Sequence, residues 1–153
     1  MQEFDRFIKV VGEIREKCPW DSVQTHESLK KYLVEESQEV LDGIDRLNET
    51  GDSDNLCEEL GDVLFQVVLH SLIAQEEGIF TIEDVISGVT DKMQFRHPKI
   101  FAPEDRELCS LSWEALKSER TLRKKATAKI IKLHMRARCE RKSLDNLTKR
   151  VYI

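Results

Sequence analysis

Two acidic clusters, each embedded in an apolar helical pattern, constrain this chain more than any other feature. Residues 35–39 are EESQE and residues 58–62 are EELGD. Each cluster holds two carboxylates three positions apart: Glu36 with Glu39, and Glu59 with Asp62. Positions i and i+3 lie about 60° apart on one helix face, so their side chains can converge. Four carboxylates brought together from two helices would repel one another unless a hard divalent cation neutralised them. The pattern therefore predicts a Mg²⁺ site, and such a site most often handles a phosphorylated substrate.

The composition favours a soluble, helix-rich protein. Of the 153 residues, 40% are hydrophobic and 35% are charged, and 6 glycines and 3 prolines are too few for an all-β design with many tight turns. No apolar run approaches the roughly 20 residues that a membrane-spanning helix needs, and the first residues do not have the pattern of a signal peptide. The four cysteines show no CxxC pairing and suit a reducing compartment. We therefore expect a cytoplasmic protein.

Apolar residues at helical spacing predict five helices. We expect them at about 2–17, about 21 or 25 to 48, about 55–77, about 82–95, and from Ser112 or nearby onward. The third helix is almost wholly apolar from Val63 to Ile73, which places it at the centre of a bundle. No segment shows the alternation typical of a strand. The predicted fold class is therefore an all-α helical bundle.

Local signals at the helix ends support these boundaries. Either Asp21 with Gln24, or Thr25 alone, could cap the second helix. Gly78 provides the glycine that commonly ends a helix, here the third. The TIED sequence at 81–84 is a capping box for the fourth helix.

Charge divides the chain into an acidic body and a basic tail. Residues 1–119 hold 27 acidic and 12 basic side chains, whereas residues 120–153 hold 2 acidic and 12 basic ones. We expect one domain over 1–120 and a basic helical or partly disordered tail over 121–153. The tail carries no recognisable nucleic-acid-binding motif, and charge alone supports only weak, salt-sensitive contacts. Nucleic acid is therefore not an expected partner.

Further motifs accompany the two clusters in a fixed order. They are CPWD at 18–21, QTH at 24–26, and a segment that runs from Lys92 through RHP at 96–98 to Phe101. In this order the chain resembles the MazG-like nucleoside triphosphate pyrophosphohydrolases over roughly residues 3–120, and is most similar to the N-terminal module of two-module members. The resemblance implies the fold of the all-α NTP pyrophosphatases, with a four-helix core completed by dimerisation or higher oligomerisation. It also implies hydrolysis of NTP or dNTP to the monophosphate and pyrophosphate, as in house-cleaning of nucleotide pools.

The resemblance also implies a role for each matching residue. The family's Mg²⁺ ligands, for which Mn²⁺ is an alternative ion, match Glu36, Glu39, Glu59 and Asp62. Glu35 and Glu58 adjoin the ligands and could support them or act as a general base, so we count all six as candidate catalytic residues. The expected substrate-binding residues are Trp20, Lys92, Arg96, Trp113 and Lys117. Either tryptophan could stack on a base, or could instead pack in the core or at an interface.

Two departures from the family pattern keep other interpretations open. Phe95 stands where the family usually has the first of two arginines, and Lys99 stands where it has a second histidine. The second module of the longer members is also missing from this sequence. A catalytically weak or degenerate dimeric module that binds nucleotide without turnover is therefore an alternative. A di-iron carboxylate bundle is excluded, because none of the four histidines has a glutamate three residues before it.

Overall fold

The structure, a computed structural model, describes residues 2–127 and residue 129, and over those residues it contains helices and no strand. The elements in chain order are α1 (Gln2–Lys17), a 3₁₀ turn (Asp21–Val23), α2 (His26–Thr50), α3 (Asp54–Glu76), α4 (Ile82–Arg96), α5 (Pro98–Phe101) and α6 (Arg106–Ser110). A further helix, α7, starts at residue 113 and is described as far as residue 127. The predicted all-α class is confirmed. Within the described ranges, no helix combines the length and the apolar character needed to cross a membrane.

The contacts of the chain divide it into two compact units. The first ends at Ser87 and the second starts at Gly88, so the boundary falls within α4. The expected domain boundary near residue 120 stays a prediction. The first residues of the predicted tail continue α7 to residue 127, and most of that tail lies outside the described residues.

The helix ends follow the predicted caps closely. Thr25 caps α2 reciprocally with Ser28: the Thr25 hydroxyl accepts from the Ser28 amide at 3.2 Å, and the Thr25 amide donates to the Ser28 hydroxyl at 2.9 Å. Asp21, the alternative cap, instead begins the 3₁₀ turn. Gly78 follows α3 with a φ of 69°, a conformation that costs glycine little. The fourth-helix box is also present, because the Thr81 amide donates to the Asp84 carboxylate at 2.9 Å.

Two short helices were not predicted from the sequence. No helix was predicted between about residue 95 and Ser112, whereas this segment contains α5 and α6, of four and five residues. Helices of about one turn are too short to establish an apolar period. Their formation depends on local caps, such as the Asp105 carboxylate that accepts from the Leu108 amide at 2.9 Å.

The core of the first unit is centred on α3, as predicted. Val68 and Leu69 of α3 have no exposed surface, and they pack with Val11 of α1, Leu29 of α2 and Ile82 of α4. Partly buried aromatic and aliphatic side chains of α1 extend this core. Burial of these apolar side chains is the main force that holds the four helices together.

A close approach at Gly43 sets the register of α2 against α3. A Cβ atom at Gly43 would lie 3.1 Å from the Cα atom of Leu56, which is closer than most Cβ contacts, so glycine lets the two backbones come nearer than a residue with a side chain would. The imidazoles of His26 and His70 meet farther along the same helix pair, with their Nδ1 atoms 2.8 Å apart. Contacts at both places show that α2 and α3 run antiparallel. The residues one to two turns before Gly43 on α2 therefore lie opposite those one to two turns after Leu56 on α3, and this places residues 36–39 opposite residues 59–62.

Candidate active site

Carboxylates from α2 and α3 meet in the first unit, at the place that the register of these helices requires. Glu36, Glu59 and Asp62 each offer a carboxylate oxygen, and the three oxygens lie within 4.8 Å of one another. Oxygen ligands bind Mg²⁺ at about 2.1 Å, so small side-chain rotations would let the three carboxylates share one ion. Glu36 and Glu59 are half-buried and Asp62 is exposed, so the group is open to solvent on one side.

The electrostatics of this group, which we call the carboxylate cluster, show unneutralised negative charge. Burial raises the pKa of Glu36, and the neighbouring charges of Asp62 and Glu39 raise it further. The pKa of Glu59 is also raised, first by burial and then by the charge of Glu39. An all-oxygen donor set with excess negative charge suits a hard divalent cation such as Mg²⁺. The residues present therefore fit the ion that the family resemblance implies.

The other predicted carboxylates surround the cluster. Glu39 lies within hydrogen-bonding reach of Glu36, and its charge acts on Glu59, although it is not one of the three residues with converging oxygens. Glu58 is exposed and its charge contributes to the raised pKa of Glu59. Glu35 is exposed on α2. The structure thus brings Glu39 to the cluster and places Glu35 and Glu58 on the same two helices.

Trp20 lies in the connection between α1 and α2. It is 48% exposed and contacts the ring of Tyr32 edge-on, with the ring centroids 5.3 Å apart. Arg15 fixes this connection, because its guanidinium donates to the carbonyls of Asp21 and Gln24. The same guanidinium pairs with both carboxylate oxygens of Glu76 at 2.9 and 3.0 Å. The Trp20 indole therefore packs against Tyr32 on one side, while about half of the residue remains accessible.

In the second unit, three of the predicted substrate-binding residues lie close together: Arg96, Trp113 and Lys117. The Arg96 guanidinium lies 5.3 Å and the Lys117 ammonium 5.6 Å from the centroid of the Trp113 ring. Both distances are in the range of cation–π attraction. His97 approaches the same ring edge-on at 5.5 Å. Lys92 lies one turn before Arg96 on α4 and is half-buried.

A cavity of about 420 Å³ adjoins this aromatic group. Its lining includes Arg96, His97, Lys99, Cys109 and Trp113. The Nε atom of Arg96 is buried and has no hydrogen-bond partner among the described residues. The cavity combines apolar walls with cationic side chains, which suits an anionic ligand that also carries a flat ring.

The two departures from the family pattern have different structural settings. Lys99 lines the cavity, where it adds a positive charge. Phe95 does not supply a cation, and its ring instead lies 5.3 Å from the guanidinium carbon of Arg123 on α7.

Sequence reasoning missed two kinds of site residue. Asn55 donates a hydrogen bond to Glu59, and its position four residues earlier on the same helix was a signal that could have revealed it. Cys109 lines the cavity only because α5 and α6 fold as they do. No spacing in the sequence indicated that contact.

The fold and the cluster together define a class: all-α proteins in which two adjacent helices present carboxylates suited to a divalent cation. The family model described as the MazG nucleotide pyrophosphohydrolase domain matches residues 24–101. The chain belongs to this family. The match covers α2, α3 and α4, and therefore the whole carboxylate cluster and Arg96, whereas Trp20, Trp113 and Lys117 lie outside it.

Curated relatives agree with this family. The chain is 43% identical over 126 residues to the nucleoside triphosphate pyrophosphohydrolase/pyrophosphatase MazG of Thermotoga maritima, which covers 81% of this chain and 48% of that protein. It is 40% identical over 130 residues to the nucleoside triphosphate pyrophosphohydrolase of Escherichia coli K12, with the same coverage of 81% and 48%. It is also 46% identical over 120 residues to the uncharacterized protein YabN of Bacillus subtilis, which covers 75% of this chain and 24% of that protein. The chain thus spans half or less of the length of these relatives.

Proposed function

We propose that this chain is a Mg²⁺-dependent nucleoside triphosphate pyrophosphohydrolase that converts NTP or dNTP to the monophosphate and pyrophosphate. The observation that carries the proposal is the convergence of Glu36, Glu59 and Asp62 from two helices in a member of the MazG family. The relatives from Thermotoga maritima and Escherichia coli bear names with the same activity. A role in clearing noncognate nucleotides from the cytoplasmic pool would follow from it.

The carboxylates of the cluster would hold the ion. Glu36, Glu59 and Asp62 would bind it, with Glu39 as the fourth ligand after a small rotation toward the other three. Bound Mg²⁺ would supply charge neutralisation for the triphosphate and a more acidic water. Glu35 or Glu58, both exposed beside the ligands, would accept the proton of the water that attacks phosphorus.

Cationic side chains complete the proposed chemistry. Carboxylates alone repel a triphosphate, so charge on the phosphate chain must also be stabilised by donors that the protein supplies. Arg96, Lys92 and Lys117 are the residues that we assign to this role, since guanidinium and ammonium groups form strong hydrogen bonds to phosphate oxygens. The Trp113 ring, which lies close to two of these cations, would contact the base.

The proposal is tested by measuring pyrophosphate release from a panel of NTPs and dNTPs, with Mg²⁺ and with EDTA. We expect release only with Mg²⁺, and a loss of about 100-fold or more in Glu39→Gln, because that variant lacks a charge that the ion needs. Glu49→Gln is the matched control, since Glu49 is also an exposed glutamate of α2 but lies outside the cluster. Release that persists in EDTA, or that is equal in Glu39→Gln and Glu49→Gln, would contradict the proposal.

A binding module without turnover is the second candidate, and the setting of Phe95 favours it. The ring of Phe95 packs beside Arg123 at a position where the family usually offers a cation. A module of this kind would bind NTP in a metal-dependent manner and release no pyrophosphate. The same panel, read by calorimetric nucleotide binding as well as by pyrophosphate release, separates the two candidates.

We also propose that the protein is a homodimer. Apolar side chains on one side of α2 and α3 are 36–54% exposed at helical spacing: Leu33, Leu41, Ile44, Leu60, Leu64 and Val67. Exposed apolar stripes on two adjacent helices are typical of a surface that another protein covers. Two such helix pairs packed together would form the four-helix core that the family resemblance implies.

A charge placed in this apolar surface should separate the dimer. In size-exclusion chromatography with light scattering, we expect the wild type at twice the 17.8 kDa chain mass and Leu41→Lys at the mass of one chain. Val10→Lys is the matched control, because Val10 is 46% exposed but lies on α1, away from the stripes. A wild type that stays monomeric at micromolar concentration, or a dimeric Leu41→Lys, would show that this surface is not the interface.

A further inference from the structure

Asn55 contacts the carboxylate cluster without belonging to it. Its side-chain amide donates a 2.7 Å hydrogen bond to Oε1 of Glu59, one turn farther along α3, and the contact is partly buried. The ionised carboxylate can only accept, and only the nitrogen of the amide can donate. The hydrogen bond therefore fixes the orientation of the Asn55 amide as well as that of Glu59.

Gly43 provides the space in which the Asn55 amide lies. The Oδ1 atom of Asn55 is 3.3 Å from the position that a Cβ atom would take at Gly43. Any side chain at this buried position of α2 would press on the amide and on the backbone of α3 at Leu56. The close approach that sets the helix register thus leaves room for the Asn55 amide because residue 43 has no side chain.

A hydrogen bond to one carboxylate oxygen restricts the orientation of Glu59. A free glutamate side chain populates several rotamers, so ordering it when an ion binds costs conformational entropy. The hydrogen bond from Asn55 orders the side chain beforehand and thereby favours the oriented carboxylate that a cation binds.

We propose that Asn55, which lies in the space that Gly43 leaves, is a positioning residue that orients the Glu59 carboxylate toward Glu36 and Asp62 and thereby strengthens divalent-cation binding. The inference rests on the proposed metal-dependent function. Neighbours that orient metal ligands commonly contribute about 10- to 100-fold to metal affinity. Asn55 would do so by holding one oxygen of Glu59 and leaving the other free for the ion.

The test measures binding of Mg²⁺ and Mn²⁺ alone, without nucleotide, by calorimetry and by electron paramagnetic resonance of Mn²⁺. We expect Asn55→Ala to weaken binding about 10-fold, because the outer partner of one ligand is lost. Gly43→Ala should weaken it in the same direction, since its Cβ atom displaces the Asn55 amide.

Two matched controls test whether the loss of metal affinity is specific to Asn55 and Gly43 or follows from any substitution of the same kind. Gln38→Ala removes another amide-to-carboxylate hydrogen bond between residues four apart, from Gln38 to Asp42 at 3.0 Å on the exposed face of α2, and should leave metal affinity unchanged. Gly12→Ala adds a methyl group to α1 at a position where, apart from the adjoining residues and the backbone of the helix itself, no described atom lies within 4 Å, and it should also leave metal affinity unchanged.

Steady-state kinetics distinguish positioning from a loss of folded protein. We expect Asn55→Ala to raise the Mg²⁺ concentration for half-maximal rate about 10-fold, with kcat at saturating Mg²⁺ close to that of the wild type. Wild-type affinity for the metal in Asn55→Ala would overturn the inference and leave the proposed function standing. A wild type that binds neither Mg²⁺ nor Mn²⁺ would overturn both the inference about Asn55 and the proposed function. This outcome is distinct because it appears in the unsubstituted protein.

Discussion

Glu36→Gln is expected to abolish cation binding and pyrophosphate release while it stabilises the metal-free protein. Glu36 has one of the three converging oxygens, so its loss should lower activity by about 100-fold or more. The same carboxylate is unfavourable without the ion, because it is half-buried and faces the charges of Asp62 and Glu39. Thermal unfolding in EDTA should therefore show a modestly higher midpoint for Glu36→Gln than for the wild type, and added Mg²⁺ should stabilise only the wild type.

The stabilisation of the metal-free protein by Glu36→Gln should depend on pH, and the sign of that dependence follows from the pKa shifts. The pKa values of Glu36 and Glu59 are raised in the folded protein, so the metal-free folded state binds protons more tightly than the unfolded chain does. At a pH above these raised pKa values both carboxylates are ionised and reduce the free energy of unfolding. The reduction disappears as the pH falls toward 4.5, the ordinary pKa of a glutamate. Glu36→Gln should flatten this part of the profile. Glu49→Gln, outside the cluster, should leave it unchanged, and a metal-free Glu36→Gln less stable than wild type would contradict the interpretation.

Leu69→Ala is expected to produce the largest loss of stability among single apolar substitutions in α3. Leu69 has no exposed surface and packs in the core that joins α1, α2, α3 and α4 in the first unit. Truncation of a fully buried leucine costs about 2–5 kcal/mol, from lost transfer energy and from the cavity that remains. Proteins of this size are stable by only about 5–15 kcal/mol, so the variant should unfold at much lower urea concentration when followed by circular dichroism.

Leu122→Ala is the control for this prediction. Leu122 lies on α7 and is 62% exposed, so the same chemical change should alter the free energy of unfolding by no more than about 0.5 kcal/mol. A Leu69→Ala variant with the urea midpoint of the wild type would show that the α3 core is not closed as the structure describes.

Helix boundaries were predictable wherever a local signal was sufficient. The stop of α3 at Gly78 and the reciprocal cap between Thr81 and Asp84 depend only on neighbouring residues, and both are confirmed. The cap of α2 had two candidates in the sequence, and the structure selects Thr25. The short helices α5 and α6 were missed although Asp105 caps α6, because a single turn has no apolar period that would mark it as a helix.

The composition of the carboxylate cluster follows from local spacing, whereas its assembly does not. The sequence by itself determined that Glu36 shares a helix face with Glu39, and Glu59 with Asp62, because residues three apart in a helix are neighbours. It also determined the family, since the motifs stand in a recognisable order and the family model matches residues 24–101.

Only the tertiary structure decided which oxygens converge and what holds them. The close approach of α2 and α3 at Gly43 sets the register that brings Glu36 to Glu59 and Asp62, and it leaves room for the amide of Asn55. The cavity beside Trp113 likewise exists only once α5 and α6 have folded beside it. The physical reason is the same in each case. Spacing along one helix specifies a face, but the partner of that face is selected by packing between residues far apart in the chain, whose contacts no local pattern encodes.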